Sequence, residues 1–341
     1  MTKKIKVCLI GAGRIGLYLE ADKKRLKPAT HFGMWLNEKN VNLSAICDKN
    51  PKSLQFAKKY KKNIKFYTDI DLLLKNEIPD IVSICTWKDT HYKITKKCIN
   101  FGIKTIVLEK PLATTANEGK SLINLAKKNS VKIIVNHRRR FDSEIIKLKK
   151  KINNGIIGKI KKINCSYVYG IQATGTHVVD TLRMLFVKEA GEIDSVIGVK
   201  SDKKDFCSKD DINLDAVLIF KNGLLCNMQV MDIKNYDIFD FHIYGSKGKI
   251  MISSIGREVY HHKIIKSKEH SGFTELNSKS EKLCSHAPRP QFKILAKNAI
   301  DCFNNKKNAL CSEVDSYKAL CVLDALIKSA KNNSKKIKVK F

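Results

Sequence analysis

Apolar residues follow two different patterns along the chain. Up to about residue 135, short apolar runs alternate with stretches whose apolar positions recur every three or four residues. Such alternation is the signature of βαβ units in a parallel, doubly wound sheet. It predicts strands at residues 5–10, 43–47, 80–85, 105–108 and 132–135, with helices over 51–60, 91–101 and 115–129. After residue 150 the spacing changes to two. Strands are expected at 160–169, 195–199, 216–220, 224–230, 239–244 and 258–264, with one helix near 177–186 and two more over 290–304 and 312–331. The reading is an α/β protein: an N-terminal Rossmann domain over 1–140 and a C-terminal α+β domain over 141–341 on an open, mostly antiparallel sheet. The boundary is set at the Lys-rich stretch 147–151, and the last helices are free to pack on either domain.

Composition narrows the class. A chain of 341 residues with 43% hydrophobic content can bury the cores of two domains. No run approaches the roughly 18 apolar residues of a spanning helix, and the first residues lead directly into a strand, so a soluble, unexported, cytoplasmic protein is expected. The eleven cysteines are scattered with no CxxC pair, which suits reduced, buried thiols and gives no reason to expect a metal site. The net charge of +32 invites a nucleic-acid partner. It is discounted, because the lysines are spread along the whole chain and only eight of the 65 basic residues are arginine, the side chain suited to bidentate anion recognition. The expected partners are a small molecule and further copies of the chain, as a homodimer or homotetramer that covers the open sheet. Neither nucleic acid nor membrane is expected.

The candidate chemistry starts at Gly11-Ala12-Gly13-Arg14-Ile15-Gly16, which follows a strand and is expected to open a helix, the setting in which GxGxxG binds a dinucleotide. Gly11 permits the tight turn, Gly13 lets the backbone approach the pyrophosphate, and Gly16 lets helix and strand pack closely. Asp48 ends the second predicted strand, where an acid takes the ribose hydroxyls and repels a 2′-phosphate, favouring NAD over NADP. It lies 32 residues after Gly16, and an insertion over 20–33 explains the excess. The alternative is that Asp48 only starts the turn 48–51.

Three further segments follow in order: Val82-Ser83-Ile84-Cys85-Thr86 with His91; Leu108-Glu109-Lys110-Pro111-Leu112; and Gly175-Thr176-His177-Val178-Val179-Asp180. With GxGxxG, they make the chain resemble the glucose-fructose oxidoreductase/inositol dehydrogenase family of nicotinamide-dependent sugar and polyol oxidoreductases. Residues 136–141, 156–160 and 325–330 fit it too. The resemblance implies that Lys110 and His177 flank the reacting carbon, and that Thr86, His91, Glu109 and Lys110 join the glycine loop and Asp48 around NAD. Thr176, His177 and Asp180 would meet the substrate with Lys110. A histidine suits the base that alcohol oxidation requires, and an ammonium suits polarisation of the ketone. One departure is Ala173, where many members carry an Asp four residues before the histidine. That departure and the insertion with Lys27-Pro28-Ala29-Thr30-His31 resemble the nucleotide-sugar branch, which implies oxidation of the 3-hydroxyl of UDP-N-acetylglucosamine, for lipid A. Arg139, Arg140, Arg183 and Arg289 are the candidates for its diphosphate, and Tyr167 and Tyr169 for its uracil. Two alternatives stay open: a dehydrogenase of a free polyol or hexose, and a non-catalytic sensor that binds NAD and a sugar.

Overall fold

The computed structural model describes residues 4–60, 63–201, 211–284 and 289–341. It divides into two compact units, one of residues 1–142 with 289–317, the other of residues 143–288 with 318–341.

The first unit is a parallel sheet with helical crossovers. In chain order it contains β1 (Ile5–Ile10), α1 (His31–Leu36), β2 (Val41–Cys47), α2 (Pro51–Lys58), β3 (Lys65–Tyr67), α3 (Ile70–Glu77), β4 (Ile81–Ile84), α4 (Lys88–Asn100), β5 (Thr105–Leu108), α5 (Ala116–Lys128) and β6 (Lys132–Val135). The strands lie in the order β3-β2-β1-β4-β5-β6, all parallel. Strands β1, β4 and β5 are buried almost throughout, which is why they read as continuous apolar runs rather than alternations. The helices start on local signals: Asn50 caps α2 ahead of Pro51, Asp69 caps α3, and Thr115 caps α5. The order reverses between β1 and β4, the switch point at which doubly wound sheets bind ligands outside their carboxyl ends.

The second unit contains α6 (Ser143–Asn153), β7 (Ile160–Val168), α7 (Thr176–Ala190), β8 (Ile193–Lys200), β9 (Leu214–Phe220), β10 (Leu225–Met231), β11 (Phe239–Gly245), β12 (Gly248–Ser253), β13 (Glu258–Lys266), β14 (Thr274–Leu276) and β15 (Glu281–Cys284). The chain then contributes α8 (Gln291–Phe303) to the first unit, where it packs on α1, β5 and β6. Helix α9 (Glu313–Lys331) starts in the first unit and ends in the second, and β16 (Ile337–Lys338) closes the chain. The second sheet has ten strands in the order β14-β13-β12-β11-β7-β10-β9-β8-β16, with β15 beside β13. Among its pairings only β7 with β10 is parallel among the described residues. Burial alternates along β9, β10 and β11, so one face carries the core of Leu218, Phe220, Met228 and Phe241 and the other faces outward.

Several elements differ from expectation. The Lys-rich stretch set as a boundary is inside α6, whose Ile145, Leu148 and Ile152 are buried on one face while the lysines occupy the other. Strands β3 and β12 and helices α1 and α3 were not foreseen. The glycine motif does not open a long helix: after one turn, closed by Leu17 N–H on the Gly13 carbonyl at 2.8 Å, the chain leaves through a 3-10 turn at Tyr18–Glu20. The ten described cysteines are buried and unpaired as disulfides, and Cys207 lies outside the described residues. Burial pushes the Cys8, Cys47 and Cys98 thiols up to about 12, as expected of small hydrophobes. No described helix is long and apolar enough to cross a membrane, and no described cluster of three metal-type side chains is present.

Candidate active site

Apart from His91, which lies in the first turn of α4, every cofactor residue expected from sequence lies at the carboxyl end of a strand of the first sheet or in the loop after it. Gly11 has a φ of +94°, and a Cβ there would stand 2.7–2.8 Å from the backbone of Cys85 and Thr86. A Cβ on Gly16 would collide with the Gly11 carbonyl oxygen, whereas one on Gly13 would meet nothing within 4 Å. The loop is thus sealed against its own strands and open at Gly13, where a phosphate can approach the backbone; Arg14 is exposed and Ile15 half-buried beside it. Asp48 starts the turn, as one of its two readings expected, and also reaches the glycine loop. One carboxylate oxygen accepts from Ala12 N–H at 2.6 Å, tying the end of β2 to the glycine loop, and the other accepts from Asn50 N–H at 2.8 Å, starting the turn.

Residues 20–33, read from the sequence as an insertion, interrupt the first crossover without breaking its ladder. His31 and Phe32 N–H donate to the carbonyls of Ile15 and Gly16 at 3.2 and 2.9 Å, so α1 resumes where the loop's turn stopped. Thr30 caps α1, and the Glu20 carboxylate accepts from Ala29 N–H and the Thr30 hydroxyl at 3.0 and 2.6 Å. A side chain on Gly33 would collide with that carboxylate.

After β4, the His91 ring is buried, with Nδ1 2.7 Å from the Pro111 carbonyl and Nε2 3.0 Å from that of Thr86. Burial holds its pKa below the usual histidine range although both carbonyls oppose this. His91 is therefore a brace between the β4 and β5 loops, with both ring nitrogens already occupied. Thr86 is half-buried and accepts from the Thr90 hydroxyl at 2.7 Å.

After β5, Glu109 and Lys110 are both half-buried. One Glu109 oxygen accepts from His31 Nε2–H at 2.8 Å and from Asn136 Nδ2–H at 2.6 Å. Burial raises the carboxyl's pKa, but the His31 bond, the Asn136 bond and the Lys110 charge outweigh it and hold it below the usual range. The other ring nitrogen of His31 lies 2.9 Å from the Ser83 hydroxyl, which also accepts from Trp35 Nε1–H at 3.1 Å.

In the second unit, a π-turn at Ile171–Gly175 runs into α7, placing Thr176 and His177 in its first turn. Thr176 and Asp180 are buried, His177 is half-buried and Ala173 exposed. A carboxylate does reach this turn from elsewhere: Asp211 accepts from the N–H groups of Gln172, Ala173 and Ile212 at 2.9–3.0 Å. It leaves no room for a side chain at Gly170.

The substrate set needs correction. Tyr167 is fully buried and donates to the Leu214 carbonyl at 2.7 Å, so it is a core residue with no face for a uracil; its neighbour Tyr169 is exposed. Arg289 donates to both oxygens of Asp142 at 2.8 and 2.9 Å, and both side chains are buried. Arg140 pairs with Asp315 at 3.1 Å, and Arg183 binds Glu192 through two nitrogens at 2.9 and 3.1 Å. These three arginines are committed to carboxylates inside their own units and do not wait for a diphosphate. Arg139, half-buried on the short turn after β6, is the remaining arginine of that set. His31, Asn136 and Asp211 were missed. Asn136 could have been found as the residue following the last parallel strand, but no local signal marks His31 or Asp211, whose partners lie 78 and 38 residues away.

Comparison with known proteins identifies the family. Residues 5–137 match the oxidoreductase family with an NAD-binding Rossmann fold, and residues 149–340 match that family's C-terminal alpha/beta domain. Myo-inositol 2-dehydrogenase of Thermotoga maritima is 26% identical over 74% of this chain and 76% of its own. D-glucoside 3-dehydrogenase of Escherichia coli is 27% identical over 46% of this chain and 41% of its own, and the uncharacterised oxidoreductase YhhX of the same organism is 26% identical over 58% and 59%. The chain thus spans well under two thirds of some of the curated relatives it matches. In fold it is similar to the WlbA dehydrogenase of Bordetella pertussis, solved with NADH and UDP-GlcNAcA, at a TM-score of 0.80 and 18% identity over 100% of this chain and 99% of that one. Levoglucosan dehydrogenase, solved with NADH and L-sorbose, also gives 0.80, at 19% identity over 99% and 100%.

Proposed function

The chain belongs to the Gfo/Idh/MocA oxidoreductase family, an NAD-binding Rossmann fold joined to an alpha/beta domain, and from that premise we propose that it oxidises one hydroxyl of a nucleotide sugar to a ketone. The proposed substrate is UDP-N-acetylglucosamine, at its 3-hydroxyl. The observation that carries the chemistry is Lys110, placed at the end of β5 beside an ionised Glu109 on the sheet that carries the glycine loop. The substrate class is supported by the fold-level likeness to WlbA over the full length.

The dinucleotide site fits its ligand: Gly13 leaves the loop open, and Asp48 sits at the end of β2 with an acidic charge that disfavours a 2′-phosphate. NAD supplies the acceptor for the hydride that leaves the alcohol carbon. Alcohol oxidation needs a base for the hydroxyl proton, the role the family resemblance gives to His177, and an ammonium such as that of Lys110 is suited to steadying an oxygen that becomes a ketone. Asp211 does not replace the carboxylate absent at Ala173 as a base, since its oxygens cap the turn that leads to His177.

The test is NADH production with UDP-N-acetylglucosamine, other nucleotide sugars, inositol and hexoses. Turnover confined to nucleotide sugars supports the reading. Turnover with inositol instead would favour the polyol reading, which the match to myo-inositol 2-dehydrogenase over three quarters of both chains supports. NADH binding without turnover on any of them would leave the sensor reading. Copies of the chain are proposed to join through the outward face of the ten-stranded sheet as a dimer or tetramer, and a monomeric mass in light scattering would refute that.

A further inference from the structure

We infer that His31, delivered by the insertion in the first crossover, is a positioning residue that holds Glu109 with one oxygen inside the protein and the other turned to the bound dinucleotide. This rests on NAD being the cofactor. His31 is fully buried, and each ring nitrogen has one partner, Ser83 on one side and Glu109 on the other. The donors run in one direction. Trp35 Nε1 can only donate, so the Ser83 oxygen accepts from it; the Ser83 O–H is then free to donate to His31 Nδ1, and His31 Nε2–H donates to Glu109. The ring's tautomer is assigned here from its partners. A chain that starts at an indole N–H has no outlet for a proton, so it orients rather than relays. Its end point is a carboxylate oxygen that Asn136 Nδ2–H also fills. Among the described residues, Oε2 of Glu109 receives no hydrogen bond, although the side chain is still 12% exposed. An ionised carboxylate in that state is a strong acceptor for a ligand hydroxyl.

The groups that act on Glu109 are His31 on α1, Asn136 after β6 and its neighbour Lys110; Cys85 after β4 and His91 on α4 also lie within reach of its charge. With His31 gone, burial would be less opposed and the carboxyl would protonate at higher pH. The test measures NADH affinity by fluorescence from acidic to neutral pH in the wild type, His31→Asn and His31→Gln, with thermal unfolding as a check on the fold. Asparagine keeps a polar atom near Ser83 but ends short of Glu109, whereas glutamine extends an N–H to it. His31→Asn should move the acid limb of the affinity profile to higher pH by about one unit, a roughly tenfold loss of affinity on that limb, and His31→Gln should return it most of the way. Should His31→Asn not fold, Asn136→Ser removes the second donor to the same oxygen and must move the limb in the same direction. An unmoved limb in the folded variants overturns the inference. A wild type that does not bind NADH overturns the cofactor premise instead.

Discussion

Two sets of carboxylates in this protein are held in opposite ways. Asp142, Asp315 and Glu192 are answered by guanidinium groups: Arg289 on the first, Arg140 on the second, and Arg183 with Lys318 on the third. Asp48 and Glu109 are answered by groups attached to no guanidinium: two backbone N–H groups for one, an imidazole and an amide for the other. A carboxylate bound by a guanidinium is neutralised and becomes framework, and such closed pairs need only stay intact. One bound by neutral donors keeps its charge for a ligand, and both of these stand at the carboxyl ends of parallel strands. Changes in the first set should therefore register in stability, and changes around the second in binding and turnover.

The widest separation should come from the two groups proposed to act on the reacting hydroxyl. His177→Ala should lower turnover by roughly 10² to 10⁴ while NADH binding and the unfolding transition stay close to wild type, since a positioned base contributes about that much. Lys110→Ala should act in the same sense, and Lys110→Arg should not restore activity, because a planar fork cannot take the place of a compact ammonium. A matching loss of stability in either variant would break the division.

Next in size is Arg183→Met. It leaves the half-buried Glu192 with Lys318 as its remaining cation and should reduce the unfolding free energy by about 1.5–3 kcal/mol in denaturant titration. NADH affinity measured below the transition should not change. The double variant Arg183→Met with Glu192→Leu should recover part of the loss, since the unanswered carboxylate is gone and the one ammonium it leaves, that of Lys318, reaches solvent.

Smaller still is Asp48→Ser. NAD should bind the wild type at least tenfold tighter than NADP, about 1.4 kcal/mol, and the substitution should narrow that gap. Equal affinities in the wild type would remove Asp48 from the cofactor site. The slightest effect concerns acid. Burial raises the Glu192 carboxyl, but Arg183 and Lys318 outweigh it and hold its folded pKa below the ordinary value. Its contribution to stability is then fully present above about pH 4.3, the unfolded carboxylate's value, and is lost as pH falls through the lowered folded one. Unfolding followed across that range should show a shallower acid decline in Arg183→Met than in the wild type.

What could be read in advance follows from how local each feature is. The place of the glycine loop and of Asp48 was legible because a tight turn and a strand end impose residue types within a few positions, whereas Glu109 and Lys110 were marked only by the family resemblance. The main strands of both sheets were legible for the same reason, through runs in one and alternation in the other. Helix α6 was not, because its lysines masked three buried apolar positions at helical spacing. Strand β3 was not, because its three residues carry no period. The arginines were misread for a different reason: a guanidinium suited to a diphosphate is equally suited to pairing a buried carboxylate, and only the fold shows that Asp142 lies 2.8 Å from Arg289, 147 residues away. Tyr167 failed likewise, since an aromatic on an inward strand position is a core residue first.

The ladder that resumes from the Ile15 and Gly16 carbonyls to the His31 and Phe32 amides makes the first crossover a splice. Both ends of the intervening segment are fixed by the same two hydrogen bonds, so its length is not dictated by the sheet, and closing a loop of twice the length adds only about 0.6 kcal/mol. That makes the segment exchangeable. A shorter or foreign stretch grafted between residues 20 and 29 should leave the glycine loop and the six strands in place, provided that it returns a capped helix start at Thr30. The same joint hands His31 to Glu109, so a graft that shifted the register by one residue would keep the fold and turn a different side chain toward the strand ends.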